Sequence, residues 1–267
     1  MTNVLQYDFI QHAILAGILV SITAGIIGSL VVVNRMVFLA GGIAHAAYGG
    51  VGIAIFFALP VLPVTGGFSI LVALLLSVIT FKARHRTDSA IGLIWAVGMA
   101  FGIILIDLTP GYRADLMSYL FGSILAVPDR DLWIMGVLLL SLIAIIARYY
   151  RDFLAVSYDP EFARLRGVPV KTIYTLMLVL AAVTVVMAIQ VVGLIMVIAL
   201  LTIPTYIAEK ISRTLAQMML YSAGLSFLFT MGGLWLSYAY NLTSGASIIL
   251  LAATGLGLFS LLSKTET

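Results

Sequence analysis

Nine stretches of this chain, at about 10–33, 37–59, 62–81, 90–108, 132–150, 172–190, 192–208, 217–238 and 246–262, each hold at most one acidic or basic residue. No other feature narrows the fold so far. A membrane crossing takes roughly 20 apolar residues at about 1.5 Å of rise each. Inside hydrocarbon no water is available to bond the backbone, so each segment must satisfy its own N–H and C=O groups. The chain is therefore expected to be all-α, a polytopic bundle of transmembrane helices. The alternative of a soluble domain fails on charge: only 9% of residues are Asp, Glu, Lys or Arg, against 63% hydrophobic, where a soluble domain carries about 25% charged.

The sixth and seventh stretches almost touch. Read as one broken or tilted element, they reduce nine spans to eight. Charge placement favours nine. With the N-terminus outside and the C-terminus in the cytoplasm, the inner connections carry Arg35, Lys82, Arg84, Arg86, Arg148, Arg151, Arg164, Arg166, Lys171, Lys210, Arg213 and Lys264. Only Arg113 and Arg130 fall outside, as the bias of basic residues toward cytoplasmic loops requires. The net charge of +3 follows from that bias and is no footprint for nucleic acid. The start of the chain lacks a basic leader region, so the first apolar segment is expected to be retained. The whole of 1–267 reads as one transmembrane domain. Cysteine is absent, which excludes a disulfide framework, a thiolate metal site and a cysteine nucleophile.

The inner connection at 151–171 has a short helix written into it. Asp159 suits the N-cap, Pro160 the first helical position and Glu161 the positive helix end. Arg164 lies toward the C-terminal end, Gly167 suits the residue just past it, and Pro169 blocks continuation. So short a helix is marginal alone. Either it lies on lipid head groups, or it docks a soluble cytoplasmic subunit through Phe162 and Leu165. No GxxxxGK[ST] phosphate loop occurs in the sequence, so ATP hydrolysis, if it drives this chain, must come from a partner. The outer connection, about 109–131, breaks at Pro110-Gly111 and then turns amphipathic, which suits a re-entrant or interfacial segment. Asp107 closes the fourth span and Asp115 begins this segment, either as solvated caps or as carboxylates that attract cations to an outer mouth.

One ionisable residue lies well inside a span. His45 stands in "GGIAHAAYGGVG", with Gly41 and Gly42 one turn before it and Gly49 one turn after, all on its helix face. Small residues let helices approach closely in lipid; here they are also expected to leave open space beside the imidazole. Such a histidine is either neutral and hydrogen-bonded between helices or part of a path. Neutral imidazole is a common metal ligand, and Tyr48 is a candidate neighbour. One histidine is an incomplete site, which is what conduction favours, because an ion must also leave.

The segments "NRMVFLAGGIAHAAYGGVGIA", "YRADLMSYLFGSILAV", "FLAVSYDPEFARLRGVPV" and "VVGLIMVIALLTIPTYIA", in this order, resemble the permease subunits of bacterial ABC importers for zinc, manganese or iron(II). The resemblance implies a type II ABC importer-like permease in the bacterial cytoplasmic membrane. It implies a homodimer, two cytoplasmic ATP-binding subunits that bind the ATP, and an extracytoplasmic metal-binding protein. No permanently bound cofactor is implied; the divalent cation, zinc first and manganese second, is cargo. Residues 153–170 become the coupling helix, His45 a metal ligand, and Pro204 a break or kink in its helix. Members of that family often carry Asp where this chain has Gly41 and Ser123. A permease for a metal chelate or another small solute, and a secondary transporter or channel working alone, are the competing readings.

Overall fold

The computed structural model describes residues 8–82, 87–110, 122, 124, 127–194 and 197–263. Among these lie ten helices and no strands: α1 (Asp8–Val33), α2 (Val37–Phe56), α3 (Val61–Lys82), α4 (Thr87–Asp107), α5 (Asp129–Tyr158), α6 (Pro160–Leu165), α7 (Val170–Val192), α8 (Val197–Ile211), α9 (Leu215–Tyr240) and α10 (Ser244–Ser263). Eight of them are long and apolar enough to cross a membrane. The exceptions are the six-residue α6 and the 15-residue α8. At about 1.5 Å per residue α8 is only about 22 Å long.

Side-chain contacts fix the directions of the helices. His12 Nε2 meets Asp129 Oδ1 at 2.8 Å, joining the starts of α1 and α5. Asn34 Nδ2 donates to Ser157 Oγ at 2.8 Å, joining their ends, so the two run parallel. Ser77 and Thr175 share a hydrogen bond of 2.6 Å, and Phe81 meets Tyr174 edge-on at 5.1 Å; the end of α3 thus lies against the start of α7. Gly17 packs on Thr230 and Met231, and Gly25 on Ala223, so α9 runs antiparallel to α1. This direction separates the two span counts. Fusing 172–190 with 192–208 into one crossing would turn α9 parallel to α1. Instead the chain ends α7 at Val192, turns at Gly193 and comes back as α8. Gly193 has φ 80° and ψ 165°, a conformation that a side chain resists and glycine accepts. Short as it is, α8 reverses the chain as a ninth span would.

Pro204 does not break its helix. α8 runs from Val197 to Ile211 through it, and the interruption falls instead at Gly193. The inner connection is also shorter than the sequence suggests. α5 has 30 residues, with one non-helical position at Tyr149 (φ −111°, ψ 15°), and carries helix out to Tyr158. The start of the expected loop is therefore a continuation of the fifth span, about 45 Å long in all.

α2 is the central element. Every residue from Leu39 to Gly52 is buried, and the helix packs on α3, α4, α7 and α8. A helix apolar on all sides is the kind that others surround. Its closest partner, α4, approaches through glycine: a methyl group at Gly102 would collide with the Tyr48 backbone, and one at Gly98 would lie 2.8 Å from the Ala46 Cα. The outer faces of α3, α4 and α5 are studded with exposed Leu71, Leu93, Val97, Trp133, Val137 and Leu140, as surfaces facing lipid would be.

Candidate functional site

His45 lies eight residues into α2, about 12 Å from its N-terminal end. Only 9% of its surface is exposed, and its Nδ1 is buried without a hydrogen-bond partner. The indole of Trp95, on α4, covers one face of the imidazole. The ring centroids are 3.8 Å apart and the planes 3° from parallel. Trp95 is held in turn: its Nε1–H donates to Met99 Sδ, one turn further along α4, at 3.1 Å.

Of the two roles that sequence spacing suggests for the glycines around His45, close helix approach and open space, the structure shows the first. The space beside them is filled. A Cβ at Gly41 would lie 2.8 Å from Ile198 Cδ1 of α8, one at Gly42 would collide with Ile91 Cγ2 of α4, and one at Gly49 would come within 2.9 Å of Phe68 Cζ and 3.1 Å of the Gly98 carbonyl oxygen. The small residues bring three neighbouring helices against α2. Tyr48 is buried on the same helix, with its backbone against Gly102.

Of the carboxylates expected at the outer mouth, the described one does not join this centre. Asp107 ends α4, exposed, twelve residues and hence about 18 Å beyond Trp95 along the axis. Asp115 and Ser123 lie outside the described residues, as does most of the amphipathic outer segment. Its described members turn inward: Gly122 packs on Val192 and Gly193, and Ile124 is fully buried beside Gly17 of α1. Among the described residues no three His, Cys, Asp or Glu side chains gather as a metal centre.

At the other feature the local geometry is complete. Asp159 accepts a hydrogen bond from the Phe162 N–H at 2.9 Å, capping α6, with Pro160 at the first turn. The far end closes on Gly167 (φ 82°): Gly167 N–H donates to the Arg164 carbonyl and Val168 N–H to the Ala163 carbonyl, both at 3.0 Å. That pair of bonds is a Schellman motif. Ala163 is buried against the bundle, while Phe162 is 51% and Leu165 87% exposed. The Arg166 guanidinium sits 5.5 Å above the Phe162 ring, and Glu161 and Arg164 are also exposed. α6 is thus a turn capped at both ends, presenting two large apolar side chains rimmed by charge.

Residues 6–264 match the ABC 3 transport family. The chain belongs to that family. It is 51% identical over 253 residues, 95% of this chain and 90% of the relative, to an uncharacterized membrane protein of Synechocystis sp.. It is 32% identical over 252 residues to the manganese transport system membrane protein MntC of Listeria monocytogenes, covering 94% of this chain and 90% of the relative. Its fold is similar to PsaBC from Streptococcus pneumoniae, solved in complex with Fab: TM-score 0.88 at 29% identity, over 97% of this chain and 93% of that one. Membership in the ABC 3 family makes the chain a membrane transport protein of the ABC type.

Trp95, Met99 and Ile198 escaped the reading of the sequence. For Trp95 a signal was present. Ile91, Trp95, Gly98 and Gly102 recur at i, i+4, i+7 and i+11, so the tryptophan shares the stripe whose glycines press on α2. Ile198 had none, because its approach to Gly41 depends on α8 turning back after Gly193.

Proposed function

We propose that this chain is the membrane-spanning permease of an ATP-driven importer of divalent metal ions, with His45 as a transient ligand on the path. The observation that carries the reading is a solitary buried imidazole on the central helix of a charge-poor bundle of the ABC 3 family. Hiding such a group in a membrane is costly, which makes an ionisable residue there a functional candidate by default. Manganese leads as cargo, supported by the name of the Listeria relative. Zinc follows, supported by the affinity of imidazole for it. Cytoplasmic ATP-binding subunits seat on α6, where Phe162 and Leu165 are exposed and the caps keep the turn rigid enough to transmit a push. The working unit is a homodimer of this chain in the bacterial cytoplasmic membrane, with the N-terminus outside, and an extracytoplasmic metal-binding protein delivers the ion.

Reconstitution with the partner ATPase in proteoliposomes tests the reading. Uptake of manganese or zinc should require ATP and should be lost with His45→Ala while the ATPase still binds. Metal uptake without any ATPase would establish a channel or secondary carrier in its place. Uptake confined to a metal chelate would establish the other competing class.

A further inference from the structure

A histidine that binds metal is ordinarily oriented from behind: its second ring nitrogen donates a proton to a carboxylate, carbonyl or water, which fixes the ring plane and raises the basicity of the ligating nitrogen. His45 is built differently. Its Nδ1 is buried with no protein partner among the described residues. The indole of Trp95 lies against it instead, 3.8 Å away and 3° from parallel. Trp95 has its own anchor in the Nε1–H to Met99 Sδ bond of 3.1 Å.

We infer that Trp95 is a positioning residue for cation passage, setting the plane of the His45 imidazole by stacking in place of a hydrogen bond. The inference rests on the reading of His45 as a path ligand. The lone pair of an imidazole nitrogen lies in the ring plane, so whatever fixes the plane fixes the direction from which a cation can be bound. A stacked indole does this without accepting a proton, and so without strengthening the nitrogen as a base. The arrangement gives a ligand that is well aimed and weakly held. It captures an ion in one geometry and releases it readily, as a conducting site must.

The test uses the full complex in proteoliposomes, with initial rates of manganese and of zinc uptake measured over a range of metal concentrations. Trp95→Leu removes the stack and should raise KM on the order of tenfold, the scale on which removing the support of a metal ligand acts, with the maximal rate changed less. Trp95→Phe keeps an aromatic face and should recover most of that loss. Met99→Leu frees the indole and should raise KM about two- to threefold, a fraction of that support effect; it keeps the test open if Trp95→Leu does not fold. A merely structural role for Trp95 would lower the yield of folded protein and the maximal rate and leave KM in place, and that result overturns the inference. So does a Phe variant as impaired in KM as the Leu variant. If His45→Ala transports normally, the site reading falls and the positioning role with it. If His45→Ala is defective while Trp95→Leu and Met99→Leu keep the parental KM, the positioning role alone falls.

Discussion

Gly102 illustrates how single positions act here. Any side chain there meets the Tyr48 backbone, whereas a Cβ at Gly92 on the same helix meets nothing within 4 Å. Gly102→Val should therefore destabilise the protein by about 1–3 kcal/mol, the usual cost of overpacking. Gly92→Ala should be neutral or stabilising by up to about 1 kcal/mol, because alanine is the better helix former. Melting temperatures of the purified chain in detergent distinguish the two; equal melting temperatures would contradict the close approach of α2 and α4. The same contrast bears on the glycines around His45. From spacing alone, Gly41, Gly42 and Gly49 are equally consistent with a cavity or a seam. Which one they make depends on whether Ile198, Ile91 and Phe68 arrive from other helices, and no local pattern states that.

α6 is the element most fully legible in advance. Its start and stop depend on Asp159, Pro160 and Gly167, which act on their own backbone within a few residues, so the hydrogen bonds at both ends follow from local chemistry. Asp159→Ala should cost the turn about 1 kcal/mol of stability and weaken stimulation of a docked ATPase. Leu165→Ala removes a side chain that is 87% exposed. It should leave the melting temperature of the chain within about 1 °C, since surface changes are usually within ±0.5 kcal/mol, and should weaken ATPase binding about tenfold or more, as loss of an apolar anchor does. Parental ATPase affinity in that variant would argue for a helix lying on lipid. α8 shows the opposite limit. Proline is the stronger breaker in its sequence, yet Pro204 sits inside an intact helix and the chain turns at Gly193, where contact with Gly122 comes from a distant segment.

For the whole molecule, the alternating directions of the helices are the property most open to test, because the absence of cysteine makes single introduced thiols unambiguous. Leu59→Cys and Leu242→Cys should react with a membrane-impermeant maleimide added outside intact cells, and Arg213→Cys only after the inner face is opened. Labelling of position 242 from the inner face alone would restore the eight-span count, in which α9 crosses the other way.

By itself the sequence determined that this chain is a bundle of apolar helices, roughly where each lies, and where a capped turn sits between two of them. Those outcomes depend on the cost of an unbonded backbone in lipid and on caps that act over a few residues. The tertiary structure alone decided that the reversal between α7 and α8 falls at Gly193, that glycine beside His45 means contact, and that the imidazole is faced by Trp95. Each of these depends on which surfaces meet once helices distant in sequence pack together, and the periodicity of one helix records its own faces but not the neighbour that will cover them.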